Sequence, residues 1–208
     1  MAIIRRVAHS PALGKGPDYR KLLEERVSSL TSRGFTSRLM SRLLPDDGPE
    51  LVVYISFDDM EAYEKFHAAD SADPDLIKLV QEANALSRKG FTAALFAPIV
   101  QADSGRRGNA RYFHRTTIRG NFGTANEVGA ALEEFVRARQ AEGRPAALTR
   151  QVLSTTGPTF ILVDTYGTLS EYESDRITQS PPSLAPAQQK IKGLLQSPAE
   201  QVMYEILL

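Results

Sequence analysis

LVVYISF at 51–57 and FILVDTY at 160–166 are the two stretches on which the reading of this chain turns. A strand with one face in water alternates apolar and polar side chains, because successive residues point to opposite faces. Leu51-Val52-Val53-Tyr54-Ile55 and Phe160-Ile161-Leu162-Val163 do not alternate. Both runs are therefore expected to be strands buried on both faces. They also lie 109 positions apart.

That spacing extends outward in both directions. A shift of 109 places Gly48-Pro49 on Gly157-Pro158, Gly34 on Gly143, and Leu23-Glu24-Glu25 on Leu132-Glu133-Glu134. It also aligns Val27 with Val136, Leu39 with Leu148, Leu44 with Leu153, and Tyr63-Glu64 with Tyr172-Glu173. Self-similarity at one offset points to a repeated structural unit. The chain reads as residues 1–100, a polar glycine-bearing linker at Gln101–Asn109, and residues 110–208.

Each half reads as strand, helix, strand, strand, helical segments, strand. Ala2–Ala8 and Arg111–Ile118 are first strands. Pro17–Arg33 follows as a helix, with Tyr19, Leu22, Leu23, Val27 and Leu30 on one face. Pro17 suits its first turn and Gly34 its left-handed stop. In the second half Thr124-Ala125-Asn126-Glu127 has capping-box spacing, and Val128, Ala131, Leu132, Phe135 and Val136 form the apolar stripe before Gly143. Hairpins follow, turning at Pro45-Asp46-Asp47-Gly48 and Thr155-Thr156-Gly157. Helical segments at Asp59–His67 and Pro74–Ser87, then Leu169–Arg176 and Leu184–Gln196, lead to the last strands, Phe91–Ile99 and Gln201–Leu208. This is the βαββαβ order of a ferredoxin-like unit, with an expected strand order of four-one-three-two. The fold class is α+β. Two such units in tandem, each sheet covering the helix-free face of the other, would form a pseudo-dimeric α/β barrel. Sheets packed by separate chains are the alternative.

Composition removes several function classes. Lys+Arg and Asp+Glu balance at 25 each, which argues against a nucleic-acid footprint; Arg106-Arg107 reads as solvated linker. With no cysteine there is no disulfide, thiolate nucleophile or cysteine-ligated metal. The three histidines are well separated, so no metal site is expected within one half, and no cofactor is called for. No stretch has the length and apolarity of a membrane span, and Arg5-Arg6 interrupt the N-terminus, so a cytoplasmic protein is the expectation.

The segment Phe57-Asp58-Asp59-Met60-Glu61-Ala62-Tyr63-Glu64-Lys65-Phe66-His67 runs from a third strand into an acidic, aromatic-bearing helix that ends near a histidine. Tyr166-Gly167-Thr168-Leu169-Ser170-Glu171-Tyr172-Glu173 keeps that rhythm without the histidine. The pattern resembles the antibiotic-biosynthesis monooxygenase-like group of the dimeric α/β-barrel superfamily. The resemblance implies a ligand-sized cavity and self-association through the sheets. It covers cofactor-independent monooxygenases, isomerases and haem-degrading enzymes, the last using a tryptophan that this chain lacks.

No motif specifies a reaction. The candidate cavity-lining or ligand-binding residues are Asp164, His114, Arg115, Arg6, Tyr166 and His9. Asp164 shares a strand face with Phe160, Leu162 and Tyr166, and a buried carboxylate needs a partner. The first strand of the same half offers His114 and Arg115, and such a pair could orient or deprotonate a small acidic substrate. The plainer reading is a structural pair or contact with water. Because the repeat counterpart of Asp164 is Ile55, a cavity-lining role predicts that Asp164→Ile is tolerated. Arg6 and Arg115 occupy equivalent first-strand positions and could bind a carboxylate or phosphate, or simply pair with acidic side chains. His9 sits at a strand end before Pro11. Two functions fit: a small-molecule-binding protein or cofactor-independent oxygenase-like enzyme taking a small apolar or acidic ligand, or a non-catalytic homo-oligomeric protein associating through its sheets.

Overall fold

The computed structural model describes residues 1–45, 48–101, 110–177 and 185–208. The elements are β1 (Ile3–Pro11), α1 (Gly16–Ser32), β2 (Thr36–Arg42), β3 (Leu51–Phe57), α2 (Met60–Ala72), α3 (Pro74–Ala85) and β4 (Ser87–Val100), then β5 (Tyr112–Arg119), α4 (Ala125–Ala141), β6 (Ala146–Gln151), β7 (Thr159–Tyr166), α5 (Leu169–Ile177), α6 (Ala185–Lys192) and β8 (Glu200–Ile206). In hydrogen-bonding order the strands run β4-β1-β3-β2 in the first half and β8-β5-β7-β6 in the second.

Two compact units divide the chain, Met1–Phe96 with Ile206–Leu208, and Ala97–Glu205. The divisions fall inside β4 and inside β8. In the first unit the end of the chain joins β2, where Leu207 N–H donates to the Leu39 carbonyl at 2.8 Å and Leu39 N–H donates to the Leu208 carbonyl at 3.0 Å. The expected linker at Gln101–Asn109 lies almost entirely outside the described residues, as do Arg106-Arg107, Asp46-Asp47 of the first hairpin turn and Leu184.

In the first unit β1 pairs antiparallel with both β3 and β4, and β3 with β2. In the second β5 pairs with β7 and β8, and β7 with β6. Both give the order four-one-three-two. The registers agree under the 109-residue shift: Arg5 faces Ile55 as His114 faces Asp164, and Ser37 faces Ile55 as Ala146 faces Asp164. At the fourth strand the match slips by one, since Arg5 faces Leu95 but His114 faces Met203.

The third strands are buried as their composition requires. Leu51, Val52, Val53 and Ile55 are buried in one unit, and Phe160, Ile161, Leu162 and Asp164 in the other. The apolar stripe of α1 buries Tyr19, Leu23, Val27 and Leu30, and that of α4 buries Val128, Ala131, Leu132 and Val136. Two local expectations change. Thr124 precedes α4 but makes no side-chain cap; its hydroxyl donates instead to the Asn121 carbonyl at 2.8 Å. Side-chain to local backbone bonds of this kind compete with capping. The fourth strand of the first unit starts at Ser87 rather than Phe91, because the polar run Ser87–Gly90 is drawn into the ladder against the end of β1, through register shifts at Ser10 and Pro11.

Gly34 closes α1 at φ +86°, and an added Cβ there would meet nothing within 4 Å. Its cost on substitution is therefore purely that of the left-handed backbone. Gly34→Ala is expected to lower stability by about 1 kcal/mol in denaturant unfolding. Gly16→Ala, at the start of the same helix and equally free of neighbours, should be neutral or slightly stabilising. Equal effects at the two positions would contradict the assignment of strain to the φ of Gly34.

Candidate functional site

The second unit holds a cavity of about 330 Å³ between its sheet and its helices. Its floor is His114, Thr116 and Ile118 of β5 with Leu162 and Asp164 of β7. Leu132, Phe135 and Arg139 of α4 form one wall, and Ile191 and Lys192 of α6 with Leu195, Ala199 and Gln201 form the rest. The period of two puts alternate residues of β5 and β7 on this face, and the helical stripe of α4 meets them. Leu132, Leu162, Ile118 and Ile191 belong to the hydrophobic core of this unit. The cavity lies against that core, and three buried ionisable groups, His114, Asp164 and Arg139, are set into its lining.

Those groups are almost without solvent contact: His114 is 5% exposed, Asp164 4% and Arg139 4%. Arg139 Nη2 donates to Asp164 Oδ1 and to Asp175 Oδ2, each at 2.9 Å. Its guanidinium also lies over the Phe135 ring, 5.8 Å from the centroid. Asp175, on α5, is further bound by Arg144 and by the Tyr166 hydroxyl, which donates to Oδ2 at 2.7 Å. Burial works against the charge of Arg139, yet the carboxylates of Asp164 and Asp175 hold its pKa above the ordinary value. Burial pushes Asp175 up, and Tyr166, Arg139 and Arg144 together bring it below the ordinary carboxylate value. The Tyr166 phenol is pushed far up, by burial first and then by the charges of Asp164 and Asp175, so it stays a donor.

His114 stands across the ladder from Asp164, with Nδ1 3.8 Å from Oδ2. That is an ion-pair separation if the ring is protonated and too long for a hydrogen bond. Nε2 is buried and has no hydrogen-bond partner among the described residues. Tyr172 of α5 covers the ring, with centroids 5.2 Å apart. An imidazole beside a carboxylate, with one ring nitrogen unused by the described residues, is the kind of group that serves as a general base.

The six sequence candidates are thus distributed unevenly. His114 and Asp164 meet in the cavity. Tyr166 shares their strand face but supports Asp175 instead of lining the cavity. Arg115 lies one residue from His114 and so points to the opposite face of the sheet; its Nε is buried without a hydrogen-bond partner among the described residues. Arg6 likewise alternates with cavity-lining Arg5 and Val7, and pairs with Glu50 at 3.1 Å. His9 lines a separate cavity in the first unit, where Nδ1 is 3.0 Å from the Tyr19 hydroxyl. Arg139 and Asp175 were not among the candidates. The signal for Arg139 was present: it continues the stripe Val128, Leu132, Phe135 by one more turn, a charge on an apolar face. Asp175 carries no such signal, since its role depends on where α5 packs. Among the described residues no group of three or more His, Asp or Glu side chains is placed to hold a metal ion, and no helix is long and apolar enough to cross a membrane.

Arg139 alters what Asp164→Ile should do. Removing the carboxylate leaves a buried guanidinium that must share Asp175 with Arg144, so a loss of about 3 kcal/mol is expected instead of tolerance. The counterparts of Arg139 and Asp164 in the first unit are Leu30 and Ile55, both buried. The double replacement Arg139→Leu/Asp164→Ile should therefore recover most of the loss, because Asp175 keeps Arg144 and Tyr166. Chemical unfolding of the three variants checks this; additive losses would show that the pair is not the coupled unit its geometry indicates.

No protein-family model matches the chain, and no curated protein sequence matches it. Solved structures do. A provisionally named monooxygenase from Fusobacterium nucleatum superposes with a TM-score of 0.76 at 12% identity, over 100% of this chain and 93% of that one. A second protein so named, from Lactobacillus acidophilus, gives 0.69 at 13% identity, over 99% and 93%. An anthrone oxidase-like protein gives 0.66 at 11% identity, over 100% and 91%. Identities this low carry the architecture alone. The chain has the dimeric α/β-barrel fold, in the form shared by these monooxygenase-like proteins.

Proposed function

We propose that the protein binds a small, largely apolar molecule bearing one acidic O–H or activated C–H group in the cavity of the second unit, and acts on it as a cofactor-independent oxygenase. The observation that carries this reading is the buried His114 Nε2, without a hydrogen-bond partner among the described residues, on a side chain that lines a cavity with Leu132, Phe135 and Leu162. A polar atom in such surroundings gains from a ligand that supplies its missing hydrogen bond. Ile118, Leu132, Phe135 and Leu162 take the ligand's apolar body, and Gln201 and Lys192 offer polar contacts.

His114 is the general base. It takes the substrate proton at Nε2, and Asp164 on the Nδ1 side stabilises the imidazolium that results. The substrate carbanion or phenolate is then electron-rich enough to reduce dioxygen itself. At an activated methylene the sum is CH2 + O2 → C=O + H2O. All four electrons come from the substrate, one oxygen atom enters the product and the other leaves as water. The monooxygenase-like names of the structural neighbours support the reaction class. We further propose that residues 1–100 and 110–208 are tandem copies of one unit; the shared register supports this.

Oxygen uptake with anthrone as probe, in buffer containing a chelator, tests the reading. Wild-type protein is expected to consume one dioxygen per product. His114→Gln should lower kcat by roughly 10²–10⁴-fold, the range of a lost general base, with unchanged thermal unfolding. A rate that His114→Gln leaves intact would rule out the assigned base. Absence of both turnover and retained ligand, the latter read by native mass spectrometry of freshly purified protein, would favour a non-catalytic protein.

A further inference from the structure

The first unit has a cavity of its own, of about 110 Å³, at the corresponding place. We propose that it is a second ligand site, which takes a short-chain monocarboxylate with its carboxylate on the guanidinium of Arg5 and its apolar chain among the side chains of α1 and α3. This proposal does not rest on the reading of the His114 cavity, since all of its residues lie in the other unit.

Arg5 occupies the position equivalent to His114, and both line their cavities. Their surroundings differ. Across the ladder from His114 stands Asp164, but across from Arg5 stands Ile55. Arg5 is half-buried, and among the described residues it has no ion pair and no side-chain hydrogen bond. The carboxylate among the cavity residues, Asp70, is already engaged twice, Oδ2 by Arg26 and Oδ1 by Arg33 at 3.4 Å. The lining therefore carries more positive than negative charge. His9 senses that field: its pKa is lowered to about 4, by burial first and then by Arg5 and Arg6. The ring is neutral at physiological pH, and among the described residues Arg5 is a lining cation without a counter-ion.

Val7, Leu23, Leu76 and Val80 give the cavity apolar walls. Its volume is somewhat below the ~150 Å³ of an apolar cavity that takes benzene, which suits a chain of about four carbons. An arginine fork meets a carboxylate bidentately, and does so more strongly where water is scarce. A single unpaired cation with apolar walls selects a monoanion with an apolar tail over phosphate.

NMR titration of the 15N-labelled full chain tests this, with butyrate as probe and 1-butanol and inorganic phosphate as controls. Butyrate should give saturable shifts centred on Arg5, His9 and Tyr19. Butanol and phosphate should bind at least tenfold more weakly, and Arg5→Gln should weaken butyrate at least tenfold. At pH 7 saturation should also move the His9 ring resonances of the wild-type chain, because a bound carboxylate then faces the imidazole beside Arg5. That measurement uses the wild-type chain and stands even where Arg5→Gln does not fold. The proposal is overturned by equal binding of butyrate and butanol, by phosphate binding as tightly as butyrate, by affinity that Arg5→Gln leaves unchanged, by shifts confined to the second unit, or by no saturable shift at all.

Discussion

A carboxylate at position 164, on a strand buried on both faces, has to be answered by a cation within the same unit, and the arrangement of the second unit follows from how that is done. Asp164 is almost fully buried, and the strand period fixes its direction. Arg139 answers it from the last turn of α4, and in doing so becomes a buried charge itself. One carboxylate does not complete a guanidinium, and Asp175 supplies the second acceptor from α5. Sheet and two helices are thereby tied through one side chain. His114, directly across the ladder, lies 3.8 Å from Asp164 on the Nδ1 side, and its Nε2 has no hydrogen-bond partner among the described residues.

The two cavities use one frame for different chemistry. The lining positions of the first unit at Arg5, Val7, His9 and Leu23 recur 109 residues on as His114, Thr116, Ile118 and Leu132. Arg26, Leu30, Val53 and Ile55 recur as Phe135, Arg139, Leu162 and Asp164. Only Leu23 and Leu132 keep their residue type. Backbone register is retained, and the side chains that set charge and volume are exchanged. Both units nonetheless contain a buried arginine–aspartate contact from the first helix. In the first unit it runs from Arg26 to Asp70 on α2, so the charge is neutralised within the helix layer and the third strand stays apolar. In the second it reaches down to β7.

Much of this frame was legible in the residues. Unbroken apolar runs at 51–55 and 160–163 identified the central strands, and the constant offset identified the register that the ladders show. Strand order put Asp164 against either His114 or Arg115, and the ladder register is what sets it opposite His114. Arg139 was missed because the stripe on α4 was followed only to Val136, although the next position on that face is the charged one. Asp175 and the cavity itself depend on where α5 and α6 pack against the sheet, and periodicity within a helix does not encode that placement. The hydroxyl of Thr124 shows the same limit at short range: capping-box spacing was present, but a local carbonyl took the donor.

The buried network also has an order of dependence. Asp175 is held by Arg144 and by the Tyr166 hydroxyl whether or not Arg139 is present. Arg139 in turn has Asp175 whether or not Asp164 is present. Among the described residues the side chain of Asp164 has Arg139 alone as a hydrogen-bond partner, with His114 further off at 3.8 Å. A leucine–isoleucine pair, as at Leu30 and Ile55, is thus convertible to the charged pair by one route that never strands a buried charge: arginine first, into an acceptor already in place, and aspartate second. The reverse order would bury a carboxylate against an apolar wall with nothing but a distant imidazole to meet it. Arg139 is therefore what allows a carboxylate to be buried at position 164, directly across the ladder from His114.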